Sequence, residues 1–515
     1  MKIVITAAGK SKRFYDEGYE LPKFMLPVID FSILESIILM FQPNDLFLVV
    51  TTHNIKDENY TFFKSLMKKY GNLSVLAISE HECGPVETIN QEEVLNWIDK
   101  DPFIVSYCDF LVIWDYKAFL TQIESSNIDG CIVSFKGIQP ASRGNTLFAY
   151  LRNSNLNVLE VREKASFTEN RQEEYASVGI YYFKSVEVFL NSLNISHKYF
   201  KDFAEQYISL VYSGLLDLGL HVSHYPVNQF LCFGTPKDYE EFLYWKNYFQ
   251  SIEKQDNTVV SVENKLIPMA GFGERFSKAG FKVPKPFIPI RGKAMFLHAL
   301  ESFPRARNTL LVLMQNQSER VLRATSSSPF KVSISTLERR TTGPGITILE
   351  SISSIPAEEE VLVMSCDYEQ ICEPELFDEA RNNQNNSVIV FYTHFNRFRM
   401  NNPKAFAYCQ TDETGIVKTI VEKQLISQAP ETDKLLVGSF WFRHAKHLEL
   451  ALKNAMARNI LINGELYVAN SLNELLTMGI QICAVPVKHW ISFGDPEEFE
   501  IYNWWEQVIN YLNSL

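Results

Sequence analysis

Hydrophobic positions along this chain fall into short, nearly continuous runs separated by longer stretches of mixed polarity. In the first half KIVIT, LFLVVTT, LSVLAIS, FIVSYCD and GCIVSF are such runs, rich in β-branched and aromatic residues. Runs of this length without alternation predict strands buried on both faces, as in a parallel sheet between helix layers. The second half offers KLIPMA, TLLVLMQ, VSISTL, VLVMSCD and SVIVFY in the same order. Strand and helix in alternation predict an α/β fold, with a mostly parallel mixed sheet flanked by helices in each half. Ligands of such sheets bind beyond the carboxyl ends of the strands.

The polar segments repeat as well. AAGKSKRFYDEGYELPKFMLPV (7–28) returns as MAGFGERFSKAGFKVPKPFIPI (269–290), so that Arg13 pairs with Arg275 and Lys23 with Lys285. CGPVETI then answers TGPGITI, SYCDF answers MSCDY, REK answers VEK, and SVGIYYF answers LVGSFWF. Further on, AEQY answers GELY and CFGTPKDYE answers SFGDPEEFE, all at nearly constant offset. Ordered landmarks at one spacing mean an internal duplication. With 515 residues the chain exceeds what one core serves. We place the domains at 1–250 and 263–515, with a linker near 251–262.

The composition, 46% hydrophobic and 21% charged, suits two filled cores. A net charge of -12 argues against a broad surface for nucleic acid or anionic lipid. The eight cysteines form no C-x-x-C pair and read as reduced thiols. Met1 leads directly into an apolar strand, and no apolar run approaches the length of about 18 residues needed to span a bilayer. A cytoplasmic protein without membrane insertion is expected, of unspecified oligomeric state.

The glycine-rich segment after the first strand, Ala7, Ala8 and Gly9 in one copy and Met269, Ala270, Gly271 and Gly273 in the other, lets backbone N–H groups approach phosphate. A plain tight turn is the alternative. Arg13 and Arg275 follow, and Lys23 and Lys285 come ten residues later, a fork and a point charge for a polyphosphate. Asp109 and Asp367 end apolar strands, where a carboxylate suits either Mg²⁺ held by phosphate oxygens or a helix N-cap. Glu163–Lys164 and Glu422–Lys423 precede strands containing Gly179 and Gly438, which would let the lysine reach an acceptor phosphate. None of the ten histidines falls in a Ser/His/Asp or metal-ligand constellation.

The ordered set G-x-[GS]-x-R-F, P-K, G-P-x-x-T, strand-C-D, E-K, V-G and F-G-x-P resembles the sugar-phosphate nucleotidyltransferase family, whose members also activate phosphocholine and related phosphoesters. The resemblance covers nearly all of both halves. It implies two tandem Rossmann-like domains of the type shared with GT-A glycosyltransferases. It also implies the reaction of an NTP with a phosphorylated sugar, polyol or amino alcohol, releasing pyrophosphate with Mg²⁺, to supply a precursor for capsule or other surface polysaccharide. By the same resemblance Arg13 and Arg275 steady the β/γ-phosphates, Lys23 and Lys285 meet the α-phosphate, and Asp109 and Asp367 bind the metal. Gly84 and Gly343 lie near the base, while Lys164, Gly179, Glu205, Lys423, Gly438 and Glu465 face the acceptor.

Two departures stand out. Where many members carry a second metal-binding Asp, this chain has Cys232 and Ser492, and Ser11 stands where the second copy has Gly273, a change expected to crowd the loop slightly. Two other readings stay open. One is a GT-A glycosyltransferase, which would prefer a D-x-D motif and leave the P-K lysine unexplained. In the other, one copy is catalytic and its twin is a nucleotide-binding regulatory or scaffold module. Neither base nor acceptor is named by these residues, and the acceptor segments ASFTENRQEEYASV and QLISQAPETDKLLV differ strongly.

Overall fold

The structure, a computed structural model, describes residues 1–137, 139–143, 147–253, 262–271, 273–326, 331–396, 398, 400 and 402–515. It divides into two compact units, Met1–Lys246 with Trp504–Leu515, and Asn247–Asn503. Each boundary falls inside a helix, Pro236–Glu253 or Pro496–Ser514. The C-terminal residues join the first unit through aromatic contacts. Trp505 lies nearly parallel to Trp245 at 6.2 Å, and Trp504 Nε1 donates to Gln139 at 2.6 Å. Of the expected linker, 254–261 lie outside the described residues, 251–253 end a helix, and Val262 opens a strand.

The strands of the first unit are β1 (Lys2–Thr6), β2 (Leu46–Thr52), β3 (Leu73–Ile78), β4 (Phe103–Tyr107), β5 (Phe110–Ile113), β6 (Gly130–Phe135), β7 (Ala149–Ser154), β8 (Asn157–Glu163), β9 (Tyr175–Phe183), β10 (Val222–Val227) and β11 (Gln229–Cys232). Nine of them form one sheet in the order β3-β2-β1-β4-β9-β6-β10-β8-β7, and β5 pairs with β11 in a separate ribbon. Neighbours β3 to β4 run parallel, β9 runs antiparallel to β4 and β6, and β10 is again parallel to β6.

The second unit contains β12 (Val262–Pro268), β13 (Pro289–Ile290), β14 (Lys293–Ala294), β15 (Ala306–Met314), β16 (Lys331–Leu337), β17 (Val361–Val363), β18 (Tyr368–Ile371), β19 (Val388–Thr393), β20 (Ala407–Thr411), β21 (Val417–Glu422), β22 (Lys434–Phe442), β23 (Ile482–Pro486) and β24 (His489–Ser492). Its main sheet runs β16-β15-β12-β17-β22-β19-β23, with β18 and β24 as the ribbon. These seven strands follow the order and direction of β3-β2-β1-β4-β9-β6-β10 in the first unit, while β20 and β21 lie off this path and β13 pairs with β14 separately. Both are mixed α/β sheets flanked by helices, and every strand run named above is a strand.

The unbroken apolar runs exist because both sheet faces are covered. In β12 and β17, Leu266, Val361 and Val363 pack on one face while Ile267 and Leu362 pack on the other. Ile3, Val4 and Ile5 of β1 are likewise fully buried. Capping hydroxyls and carboxylates start the covering helices. Ser32 accepts from the amide of Glu35, Asp115 from Ala118 and Ser185 from Val188, each satisfying an N–H that has no partner within the helix.

All eight cysteines are free thiols. No helix among the described residues is long and apolar enough to cross a membrane. Helices Val186–Ser196 and Ile208–Asp217 approach so closely that a methyl group on Gly214 would lie 2.2 Å from the Ser192 carbonyl oxygen. Gly214→Ala should therefore destabilise the first unit by about 1–3 kcal/mol, read as a lower denaturation midpoint. An unchanged midpoint would mean the helices do not pack in this way.

Candidate active site

The glycine-rich loops and the strand-end aspartates singled out from the sequence lie at the carboxyl ends of β1 and β4 in the first unit and of β12 and β17 in the second. Ala7, Ala8 and Gly9 leave β1, the amide of Ala7 donating to Val50 O at 2.8 Å. Met269, Ala270 and Gly271 leave β12 in the same way, Met269 donating to Val312 O at 2.7 Å. Each loop turns into a short helix through one left-handed residue, Ser11 at φ +51 and Gly273 at φ +60. Ser11 was expected to crowd this turn. Instead it takes the same backbone conformation, and its Oγ accepts the amide of Lys23 at 3.1 Å. In the second copy a Cβ on Gly273 would come within 3.0 Å of Lys285 Cβ, so the loop rests directly on the lysine. Arg13 and Arg275 sit exposed on the helices that follow, with Arg275 Nη1 3.6 Å from Asp495 Oδ2.

At the centre is an ion pair. Lys23 Nζ donates to Asp109 Oδ2 at 2.6 Å, with both side chains about one-fifth exposed, and Lys285 donates to Asp367 in the same manner. Burial opposes the charge on Lys23, but Asp109 beside it outweighs burial and holds the ammonium well above its ordinary value. Asp367 is also buried, yet Lys285 and the Ser365 hydroxyl, 2.5 Å from Oδ1, keep its carboxyl below the usual range. Cys108 and Cys366, one residue before, are pushed up to about 12 by burial and remain neutral thiols.

Cys232 and Ser492, which replace a second aspartate, do another job. Cys232 Sγ accepts the amide of Gly234 at 3.3 Å, and Ser492 Oγ accepts that of Gly494 at 3.1 Å. Both close the F-G turn against the strand-end aspartate. A Cβ on Gly494 would lie 3.1 Å from Asp367 Oδ2. Burial keeps the Cys232 thiol neutral, so it adds no anion. Among the described residues no three His, Cys, Asp or Glu side chains converge on a point that could hold an ion. The donor set suits a hard cation carried by phosphate oxygens and touching one aspartate, with no preformed all-protein cage.

Gly84 and Gly343 open short helices at φ +91 and φ +95. A Cβ on either would meet the Cβ of Glu205 or Glu465 at 2.9 Å, so each glycine is packed against its glutamate. Gly179 and Gly438 also have positive φ, and they face the aromatic residue after the aspartate. A Cβ on Gly179 would be 3.1 Å from Phe110, and one on Gly438 would be 3.6 Å from Tyr368.

Lys164 and Lys423 end β8 and β21 in left-handed backbone, at φ +55 and φ +53. Each amide donates at 2.9 Å, to Phe148 O and to Phe406 O. Their ammonium groups meet two tyrosines that the sequence reading assigned no role. Lys164 Nζ donates to Tyr207 Oη, and Lys423 Nζ to Tyr467 Oη at 2.6 Å. Each nitrogen is 4.4 Å from the ring centroid. The recurrence of Tyr in AEQY and GELY was the available signal. Glu163 and Glu422 differ between the copies. The Ser209 hydroxyl donates to Glu163 Oε2, whereas Ala469 occupies the equivalent position beside Glu422.

Residues 266–431 match the family model of the MobA-like NTP transferase domain. The chain is a nucleotidyl-transferring enzyme. No curated protein sequence matches it. Among solved structures, it is similar to the nucleoside-diphosphate-sugar pyrophosphorylase of Vibrio cholerae RC9, with 21% identity and a TM-score of 0.38 over 47% of this chain and 100% of that one. It is similar to the inositol-1-phosphate CTP transferase of T. maritima, with 11% identity and a TM-score of 0.39 over 48% and 98%. A UDP-glucose pyrophosphorylase complexed with UDP-glucose matches at 18% identity, with a TM-score of 0.39 over 48% and 100%.

Burial raises Glu422 to about 7, with Lys423 only partly offsetting it. Between the ordinary carboxylate value and 7 the folded state binds a proton that the unfolded state has lost, so stability falls as pH rises through that window. Glu422→Gln should remove this slope and stabilise the protein above pH 7 by about 3 kcal/mol, as measured by denaturation at pH 5 and pH 8. Equal slopes in variant and wild type would refute the assignment.

Proposed function

We propose that each unit joins a nucleoside triphosphate to a phosphorylated small molecule, a sugar, polyol or amino-alcohol phosphate, and releases pyrophosphate. The observation that carries this reading is the buried lysine–aspartate pair beside a glycine-rich loop, present in both units. An acceptor phosphate is already anionic and nucleophilic, so attack at the α-phosphorus calls for alignment and charge neutralisation rather than a general base. One acceptor oxygen forms the new P–O bond as the bond to the β-phosphate bridge breaks, and pyrophosphate leaves with the electron pair.

In this reading the loops Ala7–Gly9 and Met269–Gly271, with Gly273, supply backbone N–H groups to the triphosphate. Arg13 and Arg275 steady its outer phosphates. Lys23 and Lys285 stabilise charge at the α-phosphate. Gly84 and Gly343 give the base room, while Lys164, Gly179, Glu205, Lys423, Gly438 and Glu465 hold the acceptor. Asp109 and Asp367 are the residues that would hold Mg²⁺, which would neutralise phosphate charge when bound. The activated product suits surface-polysaccharide assembly, and the unlike acceptor segments suit two different acceptors.

The test is pyrophosphate release with Mg²⁺, each of CTP, UTP, dTTP, GTP and ATP, and a panel of phosphorylated sugars, polyols and amino alcohols. Release with at least one pair is expected, and none with any pair refutes the reading. Lys23→Ala or Lys285→Ala should remove the contribution of its own unit, and the double variant should lose about 100-fold or more. Full activity in the double variant would overturn the role of both lysines.

A further inference from the structure

We infer that Tyr207 and Tyr467 are acceptor-binding residues, and that each forms with its lysine a two-donor fork for the phosphate of a phosphomonoester. This rests on the proposed function. A surface lysine lying across a tyrosine is common, but three observations set these pairs apart. The lysines occupy left-handed backbone at the same point in both units. That conformation is costly for a residue with a Cβ and persists where surrounding contacts hold it. Each nitrogen also stands at the same 4.4 Å from the ring. Finally, both tyrosines adjoin the reaction centre. The amide of Ile208, next to Tyr207, lies 3.4 Å from Tyr107 Oη, two residues before Asp109. Tyr467 lies within electrostatic reach of Arg275 on the phosphate-loop helix.

The phenol accepts from the lysine through its oxygen, which leaves its own O–H to donate; in Tyr467 that O–H is donated to Glu465 and turns to the phosphate only when the ligand displaces the carboxylate. Burial raises both tyrosines, so each O–H is retained at neutral pH. Ammonium and phenol together therefore present converging donors to an anionic oxygen pair. The two forks differ in one respect. Tyr467 donates to Glu465, and Lys423 Nζ is 4.0 Å from Glu465 Oε2. The second fork thus carries a carboxylate, which selects a phosphomonoester that also bears a hydroxyl or ammonium group. In the first fork, Lys164 with Tyr207, Glu205 lies within electrostatic reach of the phenol.

Tyr207→Phe and Tyr467→Phe keep the ring and remove the oxygen. The first readout is protection of Lys164 and Lys423 by inorganic phosphate against an amine-acylating reagent, mapped by mass spectrometry on the full chain. Phosphate should protect both lysines in the wild type, and in each Phe variant about ten-fold more should be needed at the altered fork, the cost of one hydrogen bond to a charged group. No protection in the wild type, or equal protection in the variants, overturns the proposal. The second readout uses whichever acceptor releases pyrophosphate. Its KM should rise by about ten-fold while kcat and the KM for the nucleotide stay within about two-fold. A fall in kcat at unchanged acceptor KM would refute the fork. If no acceptor releases pyrophosphate, the proposed function fails while the labelling result still decides the fork.

Discussion

The lysine–aspartate pair is the interaction on which each site depends. It joins the segment after the glycine-rich loop to the end of the neighbouring central strand, Lys23 to Asp109 and Lys285 to Asp367. Either group alone at this depth would be a charge without compensation, so each requires the other. The loop rests on the same lysine, through the Ser11 hydroxyl in one unit and through the bare Gly273 in the other. The F-G turn closes on the aspartate from the opposite side. Glycine-rich loop, strand end and turn are thereby held in one arrangement.

That arrangement accounts for the departures at Cys232 and Ser492. A carboxylate there would stand beside Asp109 or Asp367 with one lysine to serve both, and like charges at such spacing raise each other's cost. A thiol or hydroxyl instead accepts the glycine amide that the turn exposes. In the first unit Asp238 already stands close by, its carboxylate accepting from Cys232 and within electrostatic reach of Asp109.

The segments around Glu163 and Glu422 share a plan and differ in electrostatics. Glutamate, lysine, glycine and tyrosine occur in both, but Glu163 has the Ser209 hydroxyl where Glu422 has only Ala469, and Tyr467 is engaged by Glu465. One missing hydroxyl moves a buried carboxyl toward neutrality, because desolvation is no longer offset by a donor. The two units thus differ in polarity around Glu163 and Glu422 while the lysine–aspartate pair stays the same.

The α/β class, the positions of the central strands and the correspondence between Lys23 and Lys285, or Asp109 and Asp367, are legible in the residue pattern alone. Strands covered on both faces must be apolar throughout, and a repeated pattern is visible without coordinates. Only the tertiary structure decided what each residue touches. Lys23 and Asp109 lie far apart in the chain and meet because the turn that holds Lys23 folds back over the end of β4, the neighbour of β1. Tyr207 and Tyr467 reach Lys164 and Lys423 because a helix start folds back over a strand end, a proximity that no spacing encodes. The C-terminal residues join the first unit for the same kind of reason, since stacking of Trp505 on Trp245 depends on where the helices lie and not on the order of the chain.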